Sequence, residues 1–105
     1  MKKDPQLAVE VKEILDIIKK ISPGKSVELR IPPYGAIQCV EGISHKRGTP
    51  PNSVEMSAQD LIRLRSHPEL WAELVASGQI SASGVASDIS LVFRQLSQQC
   101  PVAEP

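Results

Sequence analysis

The sequence predicts an α+β fold, a mainly antiparallel sheet of four or five strands with helices packed on one face. Three observations carry this. Apolar residues recur at three- and four-residue steps near the N-terminus and again in the second half, which is the helical period. Residues 26–41 switch to the strand period of two, around a Pro32-Pro33-Tyr34-Gly35 turn. The resulting order (helix, three strands, two helices, strand, helix) segregates the element types more than an alternating parallel α/β sheet would.

The first helix follows from Leu7, Val11, Ile14, Leu15, Ile18 and Ile21, which share one stripe with Glu10, Lys12, Glu13 and Asp16 off it. Asp4 can cap it and Pro5 suits the first helical position. Lys12/Asp16 and Asp16/Lys20 are i,i+4 pairs, Lys19 and Lys20 suit the C-terminal dipole, and Pro23-Gly24 stops the helix. The charges on its other side make the stripe a core face rather than a membrane span.

In Ser26–Ile31, Val27, Leu29 and Ile31 alternate with Glu28 and Arg30, the pattern of a half-buried strand. Ala36–Glu41 reads as a second strand antiparallel to it, ended by Gly42. The Gly- and Pro-rich stretch from Gly42 to Ser53 is the longest connection, a length that in a small domain points to function or mobility. Ser53–Met56 makes a short strand. Ser57, with Asp60 three residues on, starts a helix carrying Leu61, Ile62 and Leu64. Pro68 restarts a helix with Leu70, Trp71, Leu74 and Val75 on its apolar side and Gly78 as its C′ residue. Ile80–Ser83 is a short strand, and a last helix over Ser87–Ser97 buries Ile89, Val92, Phe93 and Leu96. Residues 1–97 are thus expected to form a single domain, and residues 98–105, with two prolines and no periodicity, a flexible C-terminal tail.

Composition narrows the function. The 105 residues hold twelve basic and twelve acidic side chains, so the zero net charge gives no footprint for nucleic acid or an anionic membrane. Hydrophobic residues make up 41% and aromatic ones 3%, and the dispersed Trp71, Tyr34 and Phe93 cannot form a base-stacking platform. Cys39 and Cys100 lie far apart and form no CxxC, which excludes a disulfide framework and suits a cytoplasmic protein with free thiols.

Few residues carry obvious chemistry. Were the second strand regular, Cys39 and Glu41 would share a face with His45 close behind, a conceivable nucleophilic set. Such a thiol needs a lowered pKa and solvent access; a strand cysteine is more commonly a small buried hydrophobe. The spacing of two His and two Cys matches no zinc motif. Around His45-Lys46-Arg47-Gly48, Arg47 offers an anion a planar fork and Asn52 shares the loop, although a solvated loop is the simpler reading. No phosphate-cradling glycine motif occurs, and no metal or cofactor is expected. Leu61, Leu64, Trp71, Val75, Val92, Phe93 and Leu96 would wall any cavity between the later helices and the sheet.

The second half, a strand, a capped helix, a helix ending Ala76-Ser77-Gly78, the strand Gln79–Ser83 closed by Gly84, and an apolar helix, resembles the sterol carrier protein superfamily. The phrasing Pro32-Pro33-Tyr34-Gly35-Ala36-Ile37-Gln38-Cys39-Val40-Glu41-Gly42, with His45 and then Arg47-Gly48-Thr49-Pro50-Pro51-Asn52-Ser53-Val54-Glu55, is similar to its small bacterial, actinobacterial-type domains. The resemblance spans roughly residues 26–96. It implies a sheet backed by helices around an apolar cavity, and binding of sterols, fatty acids or acyl-CoA without catalysis. So small an aliphatic core favours a ligand slimmer than a sterol. The expected function is therefore a non-enzymatic sterol-carrier-like domain for a small apolar or acyl-chain ligand. The alternative is a ligand-free protein-interaction module, acting as a homodimer or as accessory to a thiol-dependent enzyme.

Overall fold

The structure, a computed structural model, describes residues 3–42 and 52–99. Helix α1 spans Pro5–Ile21. Asp4 caps it, its Oδ1 accepting from the Gln6 and Leu7 N–H groups at 2.8 and 3.4 Å. Val11, Ile14, Leu15 and Ile18 turn inward, while Lys12 and Asp16 pair at 2.7 Å on the solvent side.

Strands β1 (Val27–Ile31), β2 (Gly35–Cys39), β3 (Asn52–Glu55) and β4 (Ser81–Ser83) form one four-stranded sheet in the order β2-β1-β3-β4. The β1–β2 pair is antiparallel, as expected, and so is β3–β4; β1 and β3 run parallel, so the sheet is mixed rather than antiparallel throughout. The register follows the pleat. Val27, Leu29 and Ile31 point to the buried face, with Leu29 opposite both Ile37 and Val54. Glu28, Arg30, Ser53 and Glu55 lie on the opposite, polar face, where Arg30 and Glu55 are register partners with Nε and Oε1 3.6 Å apart. At about half exposure each, that pair adds little stability.

Helices α2 (Ala58–Ser66), α3 (Trp71–Ala76) and α4 (Ser90–Gln99) join α1 over the apolar face. Ser57 caps α2, its Oγ accepting from the Asp60 N–H at 3.1 Å. Pro68 opens a single 3₁₀ turn, Pro68–Leu70, leading into α3. Gly78 follows the Ser77 cap at φ +83°, the left-handed conformation that ends a helix cheaply only at glycine. Phe93, Leu61, Leu64, Leu74, Ile80 and Leu96 are sealed from solvent with the β1 side chains in one continuous core.

Two elements differ from the sequence reading by more than one residue. The last helix begins at Ser90 instead of Ser87, because Ser87 folds back on Gly84 and the Asp88 carboxylate caps the Ser90 N–H at 3.0 Å. It runs to Gln99, two residues into the stretch expected to fray; residues 100–105 lie outside the described residues. The second strand stops at Cys39 instead of Glu41. There Val40 takes φ +68°, its N–H donates to the Ser22 carbonyl at 2.8 Å and its carbonyl accepts from Ser26 at 3.0 Å. Val40 thus ties the α1–β1 connection to the sheet, and a Cβ on Gly24 would overlap its carbonyl.

Candidate functional site

The turn at Val40 decides the first group of candidates. It breaks the alternation that would put Cys39 and Glu41 on one face, so Cys39 is fully buried and Glu41 is exposed. Burial pushes the Cys39 thiol up to about 11, leaving it protonated at neutral pH and shielded from any substrate. His45 and Arg47 fall outside the described residues. Cys39 is thereby a core residue and not an activated nucleophile.

Asn52 has a different role from the loop candidate that the sequence suggests. It is 4% exposed, with every polar atom engaged. Its Nδ2 donates to the Ser26 carbonyl at 3.0 Å and to Ser26 Oγ at 3.3 Å, while its Oδ1 accepts from the Ala86 N–H at 2.9 Å. One side chain at the start of β3 therefore clamps the entry to β1 and the turn between β4 and α4. Gly84 is the necessary complement, since at φ +110° a Cβ would run into Asn52. The Ser87 hydroxyl closes the same turn by donating to the Gly84 carbonyl at 2.8 Å.

That turn holds open a surface cleft of about 410 Å³. Trp71, Ala72, Val75 and Ala76 supply the α3 wall, Ala82 the strand wall, and Ser87 and Asp88 the mouth. The helical period spreads 71, 72, 75 and 76 over one broad face, and Leu74, three residues from Trp71, turns into the core beside it. The Trp71 ring rests on Phe93, centroids 5.9 Å apart and planes 28° from parallel, so the ring is packed directly on the core. Of the seven residues expected to wall a cavity, Trp71 and Val75 reach the cleft. Leu61, Leu64, Val92, Phe93 and Leu96 are buried core and do not line it. The residues that the sequence does not single out are Ala72, Ala76, Ala82, Ser87 and Asp88. Alanine and serine leave no hydropathy signal, though the adjacent i,i+4 pairs Trp71/Val75 and Ala72/Ala76 mark a helix face with a large residue beside a small one.

A second cleft, about 460 Å³, opens between the β1–β2 turn at Pro32–Tyr34, the β3–α2 junction at Glu55–Gln59, and Gly78, Gln79 and Ser81. Its walls mix Glu55, Ser57, Gln59, Gln79 and Ser81 with the prolines and Tyr34, so it is the poorer match for an apolar molecule despite its size. Among the described residues no three His, Cys, Asp or Glu gather as a metal ion would require. No described helix is long and apolar enough to cross a membrane.

Comparison with known proteins places this geometry. Residues 3–94 match the family model described as bacterial SCP ortholog. No curated protein matches the chain. A solved structure described as "UbiJ-SCP2 Ubiquinone synthesis protein" superposes with a TM-score of 0.51 at 17% identity, covering 97% of this chain and 99% of that one. At that identity the likeness concerns the fold alone. The family match covers most of the sequence and includes every wall of the α3–β4 cleft: the chain belongs to the bacterial SCP ortholog family, the sterol-carrier-like domains.

Proposed function

We propose that the protein is a non-enzymatic, cytoplasmic carrier-type domain that holds one slender apolar chain in the cleft over Trp71. The observation that carries this reading is a mostly apolar groove of about 410 Å³ lined by Trp71, Val75 and three alanines, with Ser87 and Asp88 beside them, in a chain of the SCP ortholog family. Its volume lies near the low end of the roughly 300–1,000 Å³ usual for small-molecule sites. The main core offers no alternative, since Phe93, Leu61, Leu64 and Leu96 are packed without solvent access. An acyl-sized chain suits an open groove of this volume better than a four-ring sterol does. The absence of an activated thiol at Cys39 supports binding without catalysis.

Native mass spectrometry of the purified protein, followed by solvent extraction and by displacement of a fluorescent fatty-chain probe, tests this reading. The expected result is a single added apolar molecule or saturable one-to-one probe uptake. An empty protein that takes up no probe contradicts it.

A second reading, a protein-interaction module acting as a homodimer, draws on Val85 and Leu91. These are 107% and 72% exposed on either side of the Ser87–Asp88 mouth in sequence. Light scattering decides it: a dimer that Val85→Ser returns to monomer favours this reading, and a strict monomer removes it.

A further inference from the structure

The polar groups at the mouth of the α3–β4 cleft select the ligand's head group, an inference that rests on the carrier reading above. The geometry points to an apolar chain ending in a hydrogen-bond donor, an alcohol or a protonated amine, and not to a carboxylate. A fatty-acid head needs donors or a positive charge at the mouth. Among the described residues the cleft lining contains no Lys, Arg or His, and its one charged side chain is the Asp88 carboxylate. Four of the donors near the mouth are engaged within the fold. The Ser87 hydroxyl and N–H both donate to the Gly84 carbonyl, at 2.8 and 3.2 Å, and the Ala86 N–H donates to Asn52 Oδ1 at 2.9 Å. The Ser90 N–H donates to Asp88 Oδ1 at 3.0 Å. What the Ser87 and Asp88 side chains leave at the mouth is acceptors, the second Asp88 oxygen and the Ser87 hydroxyl oxygen. The Trp71 indole N–H and the Asp88 main-chain N–H are neutral donors, which do not offset a carboxylate facing a carboxylate. An alcohol donates to Asp88 or Ser87 without charge repulsion, and an ammonium adds attraction.

The test uses three probes with the same twelve-carbon chain, dodecanol, dodecylamine and dodecanoate, each titrated at pH 7.5 below its aggregation threshold and followed by Trp71 emission. The alcohol and the amine are expected to bind at least tenfold tighter than the acid. Asp88→Asn, which keeps an oxygen to cap Ser90, is expected to bring amine and acid within about threefold. Dodecanoate binding as tightly as dodecanol, or an Asp88→Asn variant with the amine-to-acid ratio intact, overturns the head-group assignment while the carrier reading stands. Failure of all three probes to bind overturns the carrier reading, and this assignment with it.

Discussion

Replacing Asn52 by alanine tests the clamp on which the cleft depends. The substitution removes three hydrogen bonds, two to Ser26 and one from Ala86, and deprives the buried Ser26 carbonyl of its amide donor. A typical intramolecular hydrogen bond contributes roughly 0.5–1.5 kcal/mol, and an orphaned buried group costs about 1–3 kcal/mol. Because the 3.3 Å contact is the longest of the three, a loss of about 2–4 kcal/mol is expected. For a domain of this length that lowers Tm by roughly 10–18 °C. Urea unfolding followed by circular dichroism and by Trp71 emission measures it, with the slope m unchanged if only the folded state has lost contacts. Ser26→Ala, which removes only the 3.3 Å contact, should cost under about 1 kcal/mol. A loss below about 1 kcal/mol for Asn52→Ala would refute the clamp. Weakened ligand binding at full stability would instead return Asn52 to the role of a ligand residue.

Further outcomes follow from the same geometry. Gly84→Ala should cost about 2–3 kcal/mol in the same assay, because it adds both a strained positive φ and an overlap with Asn52. Phe93→Ala should cost about 3–5 kcal/mol by emptying the core beneath Trp71. Phe93→Leu, by keeping the floor filled, should leave chain binding within about threefold, whereas a direct ligand contact at Phe93 would be lost. Cys39 in the native fold should resist alkylation at pH 8 and react only after denaturation. Its folded pKa of about 11 lies above the unfolded value near 8.5–9, so the stability it contributes is complete only below about pH 8 and is lost as pH rises toward 11. The loss amounts to about 2–3 kcal/mol, read as a falling urea midpoint that Cys39→Ala abolishes; an equal slope in the variant contradicts the burial argument.

The elements written in periodicity and caps were legible in the sequence. Asp4-Pro5, Ser57 and Gly78 mark helix ends where the structure has them, because a cap is a local bargain between one side chain and the nearest backbone. The parallel β1–β3 pair was less legible, since nothing local to Val27–Ile31 states which neighbour lies on its second edge. The same holds for Val40, a β-branched residue in a left-handed conformation held by hydrogen bonds with Ser22 and Ser26, 18 and 14 residues earlier in the chain. Large apolar residues from Leu61 to Leu96 were natural candidates for a ligand wall, yet close packing consumes most of them in the core. The groove forms where side chains are small, at Ala72, Ala76 and Ala82, and hydropathy does not mark a space.

Trp71 is the single tryptophan of the chain and lies in the wall of the proposed site, so its emission reports on the central claim directly. Titrating dodecanol into the wild type and into Ala72→Phe, where a ring from an exposed helix position would occupy the groove, is the decisive measurement. The account predicts a saturable emission change at one equivalent in the wild type and none in a folded Ala72→Phe variant. An unresponsive wild type, or the same titration in both proteins, would contradict it.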